Sequence, residues 1–238
     1  MVAVIMAAGK GRRIAELANG LPKSFLTLGK KRIIDHQIEA LSQIGVKKKI
    51  IVIGYKSELF EEEYNRKDFV LIKNPFYDRT NVLASIWFAR DYIREGFYFM
   101  HADTFFDSDI LCDLQKEKGD IVLAVNKKKT IPEDMKVKFD GEKIVEINKE
   151  MACDEAFGEF TGLAKVNKYL APKIVQNICN RIEKQGRHDD FFELVIQDLI
   201  DQKIRVSNFD IGNRLSIEID FPEDYEEAKL LYQNKDYQ

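Results

Sequence analysis

The chain has 238 residues, with 37 Lys plus Arg against 40 Asp plus Glu, and a formal net charge of −3. That near balance excludes the basic excess of a nucleic-acid binder, and 45% apolar with 32% charged residues is the profile of a globular protein, not a disordered chain. No apolar run reaches the ~20 residues of a membrane helix. Cys112, Cys153 and Cys179 are odd in number and outside any CxxC spacing, so no disulfide framework or zinc cage is expected and a reducing cytoplasm is.

In chain order, Val2–Met6 is a compact apolar strand, too short and too poorly flanked for a signal segment, so the protein is read as mature from its first residue. A glycine-rich loop follows, Gly9-Lys10-Gly11-Arg12-Arg13. Ile33, Ile34, Ile38, Leu41 and Ile44 recur at helical spacing, and Gly45 stands where a helix ends. Lys49–Ile53 and Phe69–Ile72 read as strands. A helix is expected over about Val82–Arg94 with Thr80 or Asn81 as its cap. Phe97–Met100 and Ile121–Val125 continue the sheet. Met135–Phe139 and Lys143–Ile147 alternate around Asp140-Gly141, a hairpin signal. Helices are expected over about Lys168–Lys184 and Asp190–Gln202, strands over Ile204–Phe209 and Leu215–Ile219, and a last helix opening at Pro222. Strands alternating with helices predict an α/β, Rossmann-like three-layer sandwich on a mostly parallel sheet. No linker divides it, so a single domain over 1–238 is expected, with about 127–203 as a small acceptor-binding insertion.

In open α/β sheets ligands bind beyond the carboxyl ends of the strands. After the first strand, Ala7, Ala8, Gly9 and Gly11 let the backbone approach a ligand closely. Their N–H groups can cradle phosphates, with Arg13 as a positive fork. The loop is not a Walker A motif, and Ile14 stands where a dinucleotide fingerprint needs its third glycine. Pro22 then pins the chain before Lys23, a point charge suited to a triphosphate. Asp103 and Asp220 each follow a strand, and two such carboxylates suit a divalent cation on a nucleotide. Helix capping is the competing role for both.

Taken in order, Ala7-Ala8-Gly9-Lys10-Gly11-Arg12-Arg13, Pro22-Lys23 and Asp103 resemble the signature of the nucleotidyltransferases that make nucleoside-diphosphate sugars and CDP-alcohols. Asn81-x-x-x-Ser85, Ile147-Asn148-Lys149, Gly158–Leu163 and Glu218-Ile219-Asp220 extend the resemblance over nearly the whole chain. The branch it is most similar to is that of the phosphocholine and 2-aminoethylphosphonate cytidylyltransferases. A Gly-Leu-Ala-Gln type segment usual in the hexose-1-phosphate enzymes is absent near Asn81–Ser85, which favours CTP. The resemblance implies that Ala8, Gly9, Asn81 and Ser85 touch base and ribose, and that Gly11, Arg13 and Lys23 hold phosphates. It also implies that Asp103 and Asp220, with Glu218, bind Mg²⁺, and that Lys149 steadies charge at the α-phosphorus. The expected partners are CTP and a small phosphate or phosphonate acceptor, with no nucleic acid and no membrane; a homodimer is compatible with this reading. The rivals are a sugar-1-phosphate nucleotidyltransferase using UTP or dTTP, and a non-catalytic nucleotide sensor.

An ammonium-bearing acceptor wants aromatic faces and carboxylates. Glu159, Phe160, Asp189, Asp190, Phe191 and Phe192 offer both, although Phe192, Val195, Ile196 and Leu199 also form one buriable helix face. His36 is expected on a solvated helix face, His101 near the metal as a supporting or packing residue, and His188 in a polar loop. Trp87 is expected in the core. Lys47–Lys49 and Lys127–Lys129 read as solvated edges.

Overall fold

The computed structural model describes residues 1–234. Strand β1 (Val2–Ala7) pairs in parallel with β4 (Lys49–Ile53) on one side and β6 (Phe97–His101) on the other. Beyond β4 lies β5 (Phe69–Lys73), also parallel. All five residues of β4 are buried, as a strand covered on both faces requires. Alternate residues of β1 show the two covers. Val4 faces a core built with α3 (Val82–Phe88), α5 (Ala171–Cys179) and α6 (Glu193–Asp201). Ala3 and Ile5 face a second core built with α1 (Ile33–Gln43), α2 (Ser57–Tyr64) and α4 (Ser108–Lys116).

The sheet is mixed, which corrects the expectation of a mostly parallel one. Its order is β5-β4-β1-β6-β11-β8-β12-β10-β9, where β8 is Ile121–Asn126, β9 Lys136–Asp140, β10 Lys143–Asn148, β11 Gly158–Val166 and β12 Val206–Asp210, while β2 (Thr27–Leu28) and β3 (Lys31–Arg32) pair in a separate ribbon. From β11 (Gly158–Val166) onward the pairings are antiparallel, apart from the parallel pair of β8 (Ile121–Asn126) with β12 (Val206–Asp210). The expected hairpin is present as β9 (Lys136–Asp140) and β10 (Lys143–Asn148) around Gly141, whose φ is +58°. β9 also pairs with β11, so this end of the sheet closes on itself. The region read as an insertion therefore supplies strands to the same sheet.

Two helices are shorter than their periodicity suggested. α3 stops at Phe88 because Ala89, Arg90 and Tyr92 each bond to the carbonyl three residues back, tightening the chain into turns. α5 starts at Ala171 with Pro172 in its first turn, and its continuation over Asn180–Lys184 widens into a π turn. Strand β13 (Ser216–Glu218) leaves the main sheet and pairs antiparallel with β7 (Thr104–Phe106), setting Glu218 opposite Thr104. The Ile219 N–H donates to the Asp103 carbonyl at 3.0 Å. This small ribbon carries the C-terminal acidic segment to the end of β6. The final helix α7 (Pro222–Asn234) packs through Ala228 on a third, smaller core containing Ile14, Leu28 and Phe105.

Candidate active site

The loop after β1 turns at Gly11, in the left-handed region at φ +59°. A side chain there would place its Cβ 2.4 Å from Lys23 Cγ, so the glycine also makes room for the lysine. Pro22 precedes a short 3₁₀ turn over Lys23–Phe25 that directs Lys23 inward. Lys23 Nζ lies 2.5 Å from Asp103 Oδ2 and 2.6 Å from Asp220 Oδ1. Arg13 Nη1 donates to Asp220 Oδ2 at 3.0 Å, and its guanidinium lies over the Phe221 ring. Arg13, Lys23, Asp103 and Asp220, distant in sequence, are thus brought together.

Burial opposes the charge of Lys23, but Asp103 and Asp220 outweigh it and hold the ammonium protonated beyond its ordinary range. Burial likewise opposes the Asp103 carboxylate, and Lys23 with His101 outweighs it, keeping Asp103 below its usual pKa. The loop bearing Asp103 is clamped by Gln37, missed in the sequence, whose Nε2 donates to the carbonyls of His101 and Thr104 at 2.8 and 2.7 Å. An interior helical glutamine reads as an ordinary core-edge residue, so no sequence signal marked it.

Two adjoining cavities share Gly9, Lys23 and Asp103. One, of about 240 Å³, is lined by Ala8, Gly9, Asn81, Ser85, His101 and Glu218 among others; the second adds Gly11, Arg13 and Asp220. Asn81 caps α3 by accepting the Val82 N–H at 2.8 Å, and Ser85 accepts from Asn74 at 2.9 Å. Tyr77, Thr80 and Phe191 also line the first cavity.

Carboxylates of Asp103, Glu218 and Asp220 are hard oxygen donors of the kind Mg²⁺ takes alongside phosphate oxygens. The gap between Asp103 and Asp220 already holds a positive charge, the Lys23 ammonium, so this donor set fits a cation. Asp103, Glu218 and His101 each offer an atom within 4.8 Å of the others, and Asp220 stands across Lys23 from them. His101 thus stands among the acids that would hold a cation. Burial disfavours its imidazolium, but Glu218, Glu193 and Asp103 raise its pKa to about 9.

The residues expected on the acceptor side scatter. Lys149 places Nζ 5.3 Å from the centroid of the Phe191 ring, itself a cavity wall. Glu159 is paired with Lys128 at 2.7 Å; burial pushes its carboxyl up to about 7 against the pull of Lys128. Phe192 is not a cavity wall: it is 0% exposed and stacks on Phe99 with centroids 4.3 Å apart. Phe160 is buried in the same core, Asp190 is tied to Arg181, and Asp189 is exposed. The apolar stripe of α6 needs Phe192 to complete its buried face, and that demand prevails over an aromatic cage.

Other expectations are also corrected. His36 lies against the Phe105 and Tyr232 rings with Nε2 3.0 Å from the Leu28 carbonyl, not in solvent. Lys49 is buried and donates to the Val46 carbonyl at 2.9 Å. Trp87 is only half-buried, its Nε1–H donating to Glu183. The three cysteines are free, and no helix among the described residues is long and apolar enough to cross a membrane.

The chain is 25% identical over 193 residues to the CTP:phosphoglutamine cytidylyltransferase of Campylobacter jejuni, covering 74% of this chain and 76% of that protein. It is 25% identical to the UTP–glucose-1-phosphate uridylyltransferase AglF of Haloferax volcanii over 99% of this chain and 98% of that one. The solved structure of the CTP:phosphocholine cytidylyltransferase of Streptococcus pneumoniae superposes with a TM-score of 0.82 at 23% identity, over 97% of this chain and 98% of that chain, and shows the same fold. The model of the MobA-like NTP transferase domain matches residues 3–186. With its glycine loop, lysine and acidic pair meeting at one cavity, this chain belongs to the MobA-like NTP transferase family, a family of nucleotidyltransferases.

Proposed function

We propose that this protein is a CTP-dependent cytidylyltransferase that joins CMP to a small phosphorylated or phosphonate alcohol or amine and releases pyrophosphate. The observation that carries the reading is the convergence of Arg13, Lys23, Asp103 and Asp220 beside the glycine loop. An acceptor oxygen attacks the α-phosphorus, the bond to the bridging oxygen of the β-phosphate breaks, and pyrophosphate carries away the electron pair. A phosphate monoester has its second pKa near ~6, so the nucleophile is ionised at neutral pH and no general base is needed. What remains is alignment and charge neutralisation.

Gly11 and its neighbours bring backbone N–H groups to the triphosphate; Arg13 and Lys23 turn from their carboxylates toward it. Ala8, Gly9, Asn81 and Ser85 line the space for base and ribose. Asp103, Glu218 and Asp220 would hold Mg²⁺, which supplies charge neutralisation on the phosphates. Lys149, its ammonium over the Phe191 ring of the cavity wall, would steady charge at the α-phosphorus, and Phe191 offers an acceptor amine an aromatic face. The single domain over 1–238 and a cytoplasmic setting belong to the same reading.

A pyrophosphate-release screen tests it. CTP with phosphocholine, phosphoethanolamine or 2-aminoethylphosphonate is expected to give turnover, and UTP or dTTP with hexose 1-phosphates little. Strong turnover with UTP and a hexose phosphate would establish the sugar-nucleotide alternative, which the likeness to a uridylyltransferase keeps in view. Tight CTP binding with no pyrophosphate from any acceptor would establish the sensor.

A further inference from the structure

The carboxylate of Glu193 has no role in the chemistry above. It opens α6 with 1% of its side chain exposed, and neither oxygen makes a hydrogen bond to another residue. A buried, unpaired carboxylate is costly, so its surroundings must give it a purpose. The cation-forming side chain it pairs with is His101, whose Nε2 lies 3.6 Å from Glu193 Oε1 and is itself without a hydrogen bond.

The other ring nitrogen faces the opposite way. His101 Nδ1 is 3.4 Å from Glu218 Oε1, and the imidazole, Asp103 and Glu218 offer atoms that all lie within 4.8 Å of one another. Both nitrogen–carboxylate separations exceed ordinary hydrogen-bond lengths, so neither carboxylate grips the ring. Adjacent ligands on one octahedral ion, each about 2.0–2.2 Å from it, sit roughly 3 Å apart, close to the Nδ1–Oε1 spacing. The ring is also given its place by the backbone. A Cβ at Gly162, where φ is +76°, would stand 3.0 Å from His101 Nδ1, and Phe99 and Phe160 meet the ring edge-on.

We propose that His101 is a nitrogen ligand of the divalent cation through Nδ1, with Glu193 as the positioning residue whose carboxylate faces its Nε2–H. A buried carboxylate behind a ligating imidazole fixes the tautomer and raises ligand basicity. An imidazole in an otherwise all-oxygen shell shifts preference from Mg²⁺ toward transition-metal ions. The inference rests on the reading that a divalent ion binds at Asp103.

The test uses the full chain labelled with ¹⁵N-histidine and loaded with Mn²⁺, alone and with CTP, read by pulsed electron paramagnetic resonance. A ¹⁵N hyperfine coupling is expected in the wild type and absent in His101→Ala. Mn²⁺ affinity is expected to fall about tenfold in His101→Ala and also in Glu193→Gln, while Mg²⁺ affinity changes less than about twofold. Bound Mn²⁺ without nitrogen coupling, or a coupling that survives in His101→Ala, overturns the ligand assignment and leaves the Asp103 site standing. Equal Mn²⁺ affinity in wild type and Glu193→Gln overturns the positioning role. No Mn²⁺ loading under either condition, or loading unchanged in Asp103→Ala, overturns both this inference and the metal reading beneath it.

Discussion

At the scale of single residues, Lys23 and Asp103 hold each other charged against burial, with Asp220 on the far side of the ammonium. Asp103 pairs with Lys23 and is a proposed ligand of the cation, so Asp103→Ala is expected to abolish pyrophosphate release while the thermal melt shows a folded protein. Retained activity in that variant would falsify its metal role. Lys23→Ala is expected to raise the Michaelis constant for CTP at least about tenfold, the scale of a lost charge-assisted contact, with a much smaller change for the acceptor. Equal changes for both substrates would move Lys23 out of the triphosphate cradle. Glu159 supplies a pH test. Its folded pKa, pushed up to about 7 chiefly by burial, lies above its ordinary value, so the folded state binds the proton more tightly than the unfolded chain. The stability this confers is complete at acid pH and is lost as pH rises from about 4.5 to about 7. Denaturant melts across that window should show the wild type losing stability relative to Glu159→Gln; parallel curves would contradict the raised pKa.

At the scale of elements, sequence periodicity and packing agree where a strand or helix is long and strongly patterned, and part where local bonds or tertiary demand intervene. β4 and the β9–β10 hairpin follow their patterns. α3 does not, because three-residue back-bonds end it at Phe88 before the apolar pattern runs out. α6 shows the opposite case. Its stripe of Phe192, Val195, Ile196 and Leu199 is legible, and the structure buries all four. Phe192→Ala is therefore expected to cost about 3–5 kcal/mol in urea unfolding, as large core truncations do, and to leave the Michaelis constant for the acceptor nearly unchanged. A stable variant with weakened acceptor binding would return Phe192 to the pocket.

At the scale of the whole molecule, the parallel half and the self-closing antiparallel half share β11, which pairs with β6, β8 and β9. The 127–203 region is thus woven into the main sheet, and calorimetry is expected to show one cooperative transition; two resolved peaks would make it a separate unit. The loop glycines, Pro22-Lys23 and the strand-end acids were readable along the chain because each lies in a short local pattern set by backbone geometry or charge: a left-handed turn, a fixed φ, an acid after an apolar run. What those patterns did not contain was distance. The pairing of β13 with β7, which carries Glu218 and Asp220 to Asp103, the Gln37 clamp, and the meeting of His101 with Glu193 all join residues far apart in the chain. Such contacts depend on register and on which faces the two cores cover, quantities that exist only once the whole chain has packed.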